Sequence, residues 1–480
     1  MVLAVNRPIA GNFLGLSASI GILGLFLLYL QLIFANLAFM NDVQQMDDYD
    51  MTKKIVKPST YLTEVKTLSD RLVKAQQPIR ILDAIKWDDA IKQEFFKGNC
   101  QKPPLVTTDY YQNRPLGFDP EQKKHEFYQI ERDLVRKLGQ LNPLSVIMRR
   151  ICREYQDVVR MLEARGTPTF SNISQELYGS SQDVFHVGDP TIANLGSMME
   201  ATLSQLLQLD SLVEEPKTIN AKDAVDILNE KIESVFPGEG LRAMLSDGII
   251  ADAAAGTDYI KLRADAFFNM RDLRVLEVHE IWVHLGTTLN GLAQPYCTFL
   301  GKGPPSATVT QEGLAVLMEI LTFSSTPNRL MRLINRVRAI TLTEEGADFM
   351  DIFTFFMDKG LDEEESYTLS SRVFRGSSSD GLPFTKDLTY IKGFVLAYNF
   401  MRLAVSKGKP DRIPLLFCGK TMIEDMKVLV DLVEEGTVIA PRFLPPQFRD
   451  LMGLSSWLSF SRFMSSLNFR QLEQDYANIL

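Results

Sequence analysis

The sequence predicts an α+β fold dominated by helices, with a small mixed sheet set beside one helix that carries the chemistry. Three observations predict it. Apolar residues recur at helical spacing over long stretches, as in Leu62, Val65, Leu68, Leu72 and Val73. Two short runs, Gly248-Ile249-Ile250-Ala251 and Tyr259-Ile260-Lys261-Leu262, carry the β-branched residues of strands. Just after them, a stretch from near Asp272 to about Leu289 reads as one helix and holds two of the chain's four histidines.

Composition sets the frame. The 480 residues are 45% hydrophobic and 23% charged, enough for one large or two ordinary domains with a sizeable core. A net charge of −9 gives no reason to expect a nucleic-acid partner. The cysteines, at 100, 152, 297 and 418, form no C-x-x-C pair and read as reduced, mostly buried thiols.

From the N-terminus, residues 8 to 41 contain no charge, and the Leu-, Ile- and Phe-rich core from 13 to 40 exceeds the ~20 residues a spanning helix needs. The expectation is a membrane-located, single-pass protein with an N-terminal anchor. Arg7 argues for a cytoplasmic N-terminus, whereas Lys53, Lys54 and Lys57 argue for the opposite orientation. A start at Met51 would remove the anchor and leave a cytoplasmic protein.

Helices follow. Lys124 to Leu138 places Phe127, Ile130, Leu134 and Leu138 on one face, and Pro143 to Arg165 forms another helix, stopped by Gly166-Thr167-Pro168. A loop runs between them and the first helix, from Gly98 to Pro120. Ala221 to Val235 is a helix ended by Pro237-Gly238, and the two strands come next. A turn from Gly301 to Thr310 leads to a helix beginning near Gln311. The rest is mainly helical, with a loop at Gly376 to Gly381 and a turn at Pro441, Pro445 and Pro446 before a final tail.

The histidines of the central helix, His279 and His284, are five residues apart, with Glu280 directly after the first. This H-E-x-x-x-H is a variant of the H-E-x-x-H metallopeptidase helix. On an ideal α-helix, residues five apart lie about 140° apart, so the two rings face one side poorly. A local π-bulge would pull them together. The residue types fit a catalytic zinc, which takes three protein ligands and keeps one position for water. Two imidazoles and one carboxylate supply the ligands, and a further carboxylate takes the water's proton. Glu280 stands where that base must stand. Glu312 and Glu319, seven residues apart on one helix face, can each reach the metal. Glu277 reads as a solvated carboxylate, His125 as part of a solvated face and His186 as structural.

Together with Asn290, Gln294-Pro295, Gln311-Glu312-Gly313-Leu314-Ala315, Arg372-Val373-Phe374-Arg375-Gly376 and Phe384-Thr385-Lys386-Asp387-Leu388-x-Tyr390, the His279 motif resembles the QEGLA-motif family of bacterial proteins. That family is similar to the microtubule-associated tyrosine carboxypeptidases of animals. The resemblance spans roughly residues 55 to 450. It implies a zincin-like metallopeptidase fold, with His279, His284 and Glu312 as zinc ligands and Glu280 as general acid/base.

A carboxypeptidase needs a cation for the substrate's terminal carboxylate, and the arginine fork suits it best. Arg372, Arg375 and Lys386 are candidates, with Tyr390 as a transition-state donor; alternatively the three cations simply pair with Asp380 and Asp387. The chain then divides into 1–50, anchor and linker; 51–165, N-terminal helical region; 166–345, zinc-binding catalytic core; and 346–480, C-terminal helical region lining the substrate cleft. The expected activity is zinc-dependent removal of C-terminal residues from a protein or peptide. The alternative is a regulatory or binding protein that keeps a structural metal site.

Overall fold

A computed structural model describes residues 60–477, apart from 247–248, 250–251 and 257. The described chain is helix-rich with two small sheets. The expected helices appear with modest shifts of their ends. The first spans Thr60–Gln76 and buries Val65, Leu68 and Leu72. The next two span Pro120–Leu138 and Pro143–Glu163, each starting with proline at its first turn behind a capping Asp119 or Asn142. Within the expected Gly98–Pro120 loop, Thr108–Gln112 makes one short helix. A helix at Ile192–Leu206 also forms, opened by a reciprocal Thr191–Asn194 capping box.

The main sheet is mixed. Arg242–Ser246 runs parallel to the central strand Tyr259–Arg263, and Ala253–Ala255 pairs antiparallel on its other side. Of the strand expected at Gly248 to Ala251, Ile249 is not in a strand and the other three residues lie outside the described set. The edge strand instead sits at Ala253–Ala255. Ala221–Val235 forms the helix read from the sequence, and its Leu228 joins Ile260 and Leu262 of the sheet in one apolar cluster.

That cluster also takes in Ile281 and Leu285, while Val278 and Val283 of the same helix join the main helical core. The histidine helix is therefore wedged between sheet and helices, apolar on two sides. Beside it lies Ala307–Leu321, buried nearly all round. This helix crosses Thr389–Ser406 through a glycine pair: a Cβ on Gly313 would lie 2.1 Å from the Gly393 carbonyl carbon, and one on Gly393 would lie 1.8 Å from the Val309 oxygen. Only two residues without side chains let the backbones meet there.

One expectation is corrected. No helix among the described residues is long and apolar enough to cross a membrane, which removes the support for a single-pass membrane protein and for a membrane as partner. Hydropathy alone carried that reading, on residues 13–40, which lie outside the described residues.

Candidate active site

The central helix runs without a break from 270 to 292, but its middle is not α-helical. Met270–Leu276 is α, Glu277–Leu285 is π, and Gly286–Leu292 is α again. The Gly286 N–H bonds to the Ile281 oxygen, five residues back. In that register residues five apart stack above one another, which the i, i+5 histidines need. The His279 and His284 ring centroids come to 4.9 Å.

Glu312, on the neighbouring helix, completes the group. Its Oε2 lies 3.6 Å from His279 Nε2 and 3.6 Å from His284 Nε2. Those separations are too long for hydrogen bonds. The same Oε2 is buried without any hydrogen-bond partner. Its other oxygen accepts from Lys386 Nζ at 3.2 Å.

Behind His279, Nδ1 contacts Glu319 Oε1 at 2.7 Å, and Arg329 Nη2 donates to the same oxygen at 2.6 Å. Glu319 is wholly buried. Burial works against its charge, but Arg329 and His279 outweigh it and bring the carboxyl down to about 2. Burial likewise opposes a charged His279, yet the carboxylates of Glu312, Glu319 and Glu280 raise the ring to about 10. The pocket therefore favours an added positive charge between its imidazoles and carboxylates.

Among the described residues, one group of three or more His, Cys, Asp or Glu side chains brings its ligand atoms within 4.8 Å of one another: His279, Glu280 and His284. Glu280 Oε1 is 4.0 Å from His279 Nε2, whereas Glu312 Oε2 is equidistant from both rings and nearer. Glu280, not Glu312, lines the open cleft. Glu277 is buried and paired with Arg274 at 2.8 Å, so it is not the solvated carboxylate the sequence suggested. His125 contacts Gln129, and His186, 87% exposed, contacts Asp189; neither lines the cleft.

The cleft holding His279 and Glu280 encloses about 260 Å³ and is also lined by Arg329, Arg336, Arg372 and Tyr390. A larger neighbouring cavity of about 540 Å³ lacks the histidines but shares Arg372 and Arg263 with it, and adds Trp87, Tyr367 and Arg375. Arg372 stands at the junction and donates to Asp387 through Nε at 3.0 Å and Nη2 at 2.8 Å. Arg375 has no carboxylate partner among the described residues; its Nε is unpartnered and its guanidinium lies 5.2 Å from the Phe384 ring centroid. Burial, then Arg372, lowers it to about 10.

Arg336, which the motif reading passed over, has an unpartnered Nε and stacks 5.6 Å from the Tyr390 ring centroid. A signal existed: Arg329, Arg332 and Arg336 recur on one face of the Pro327–Glu344 helix, and all three line the cleft. Arg372, Arg336 and Arg375 all act on the carboxylate of Asp387 and, against burial, hold its carboxyl well below the usual range. Lys386 faces Glu312 instead, and Tyr390 lies 6.5 Å from His279, centroid to centroid.

Asn290 and Gln294 are not in the cleft. They clamp the end of the helix to the C-terminal loops: Asn290 Nδ2 donates to the Phe417 and Phe443 oxygens, and Gln294 Oε1 accepts from the Ile439 N–H.

The sequence pattern of the microtubule-associated tyrosine carboxypeptidase family matches residues 93–466. The chain belongs to that family. No curated protein matches it in a direct sequence search. The match bears out the carboxypeptidase resemblance, while the QEGLA label stays a likeness of motifs. Membership carries a carboxypeptidase-type activity on proteins, with a protein C-terminus as the kind of substrate.

Proposed function

We propose that the protein is a zinc-dependent carboxypeptidase that removes residues from the C-terminus of a protein or peptide. One observation carries this reading: a buried, unpartnered Glu312 oxygen held 3.6 Å from two imidazole nitrogens. Ligand atoms about 2.1 Å from one tetrahedral ion are about 3.4 Å apart, close to this spacing. His279, His284 and Glu312 would hold the zinc, and Glu319 would orient His279 through Nδ1. A bound zinc supplies Lewis acidity, polarising the scissile carbonyl and making water acidic enough to attack at neutral pH.

The chain's own residues do the rest. Glu280 accepts the proton of the attacking water at its carboxylate and returns it to the departing amine nitrogen. The Tyr390 hydroxyl donates to the oxygen on which charge develops. The outer edge of Ala253–Ala255, unpaired among the described residues, borders the cleft at Ala253 and offers main-chain groups to an extended peptide. A sheet edge beside the histidine helix supports a zincin-like reading of the fold. Arg336 and Arg372 of the cleft, with Arg375 of the adjoining cavity, bind the substrate's terminal carboxylate. Two of them lack a carboxylate of their own, so a second anion is accommodated there. Lys386 serves Glu312.

The test is a peptide pair. A free C-terminal carboxylate should permit cleavage and its amide should block it, read by chromatography of the released residue. Arg336→Ala should lower kcat/KM for the free acid roughly 10- to 100-fold, from the loss of one charged hydrogen bond worth ~1.5–3 kcal/mol. Equal cleavage of acid and amide would rule out the carboxypeptidase assignment.

A further inference from the structure

The π-helical segment raises a physical question: what holds it in a register that α-helices rarely adopt? Its last two residues are His284 and Leu285. The His284 carbonyl accepts from Thr288 Oγ1 at 2.7 Å and from Lys420 Nζ at 2.9 Å. Lys420 Nζ also lies 3.0 Å from Thr287 Oγ1 and 2.9 Å from Gln311 Oε1. Thr287 Oγ1 and Gln311 Oε1 are themselves 2.7 Å apart. One Lys420 Nζ thus meets three acceptors on two helices.

The two ends matter. His284 is one candidate ligand, held here by its own backbone oxygen. Gln311 directly precedes Glu312, the candidate third ligand. The lysine reaches in from a separate segment, anchored by its backbone N–H to the Leu300 oxygen at 2.7 Å.

We propose that Lys420 is the positioning residue of the metal site. It bridges the His284 carbonyl and the Gln311 side chain, so that the π register and the separation of the two ligand-bearing helices are set together. The inference rests on the proposed zinc reading. Lys420 touches neither substrate nor a ligand atom, and its effect reaches the metal only through His284 and Glu312. Without the lysine, the His284 carbonyl and Gln311 Oε1 share only Thr287 Oγ1, at 3.3 Å and 2.7 Å, and the end of the π segment is tied to the neighbouring helix by that hydroxyl alone.

The experiment is zinc affinity by chelator competition, measured on the full chain as wild type, Lys420→Met and Lys420→Gln. Lys302→Met serves as control, since Lys302 Nζ donates to the Gln76 oxygen at 3.0 Å, away from the histidines. Loss of such outer support typically weakens a metal site about 10- to 100-fold, and that is the effect expected for Lys420→Met, with kcat falling more than KM changes and with the control unaffected. Zinc affinity within about threefold of wild type in a folded Lys420 variant would overturn the assignment, as would equal weakening in the control. Failure of both Lys420 variants to fold would overturn it too, in favour of a general stabilising role. A wild-type chain that binds no zinc would sink the proposed function itself, which distinguishes the two failures.

Discussion

Glu280→Gln is expected to lower kcat by about 10²- to 10⁴-fold, the usual contribution of a positioned acid/base, with zinc content and melting temperature unchanged. Glu280 lies on the cleft side of His279, its Oε1 4.0 Å from Nε2 and its side chain 14% exposed. From there it faces the cleft in which the proposed attacking water would sit. Glutamine keeps the shape and can still accept a hydrogen bond through its oxygen, but it cannot take up the proton. Because the proposed third ligand is Glu312 rather than Glu280, the metal should stay. Peptide turnover measured alongside elemental analysis separates the two roles. Near-wild-type turnover would place the proton acceptor elsewhere, and loss of zinc would make Glu280 a ligand.

Gly313→Ala is expected to destabilise the chain by about 3 kcal/mol or more, at the upper end of what overpacking costs. The new methyl would stand 2.1 Å from the Gly393 carbonyl carbon, so the two helices must move apart. Backbone cannot swing aside as a flexible side chain can. Gly313 follows Glu312, and the 389–406 helix carries Tyr390. Separation should therefore weaken metal binding as well as the fold. Urea unfolding with zinc titration measures both. A variant as stable as wild type would mean that the contact is not tight in solution.

The geometry of the central helix was legible because it is local. A π register draws together two histidines five apart on a helix, and nine residues adopt it. A carboxylate one residue along reads as the base from its place in the motif. The Ala221–Val235 helix was legible from its Pro-Gly end. Tertiary choices were not. That Arg372 pairs with Asp387 while Arg375 stays without a carboxylate depends on how a helix and a later turn meet. Lys420 finds its three acceptors across 109 to 136 residues of chain, a relation no periodicity encodes. The edge strand escaped because three alanines carry little strand preference and take their conformation from the central strand. The Ile192–Leu206 helix escaped although its Thr191–Asn194 cap was a readable start signal.

The central claim is that His279, His284 and Glu312 together hold a zinc ion. Elemental analysis of the purified chain, wild type beside Glu312→Ala, tests it most directly. The account predicts about one zinc per wild-type chain, as a three-ligand site should hold, and near none in the variant. A wild-type chain without zinc, or a folded Glu312→Ala chain that retains its full complement, would contradict it.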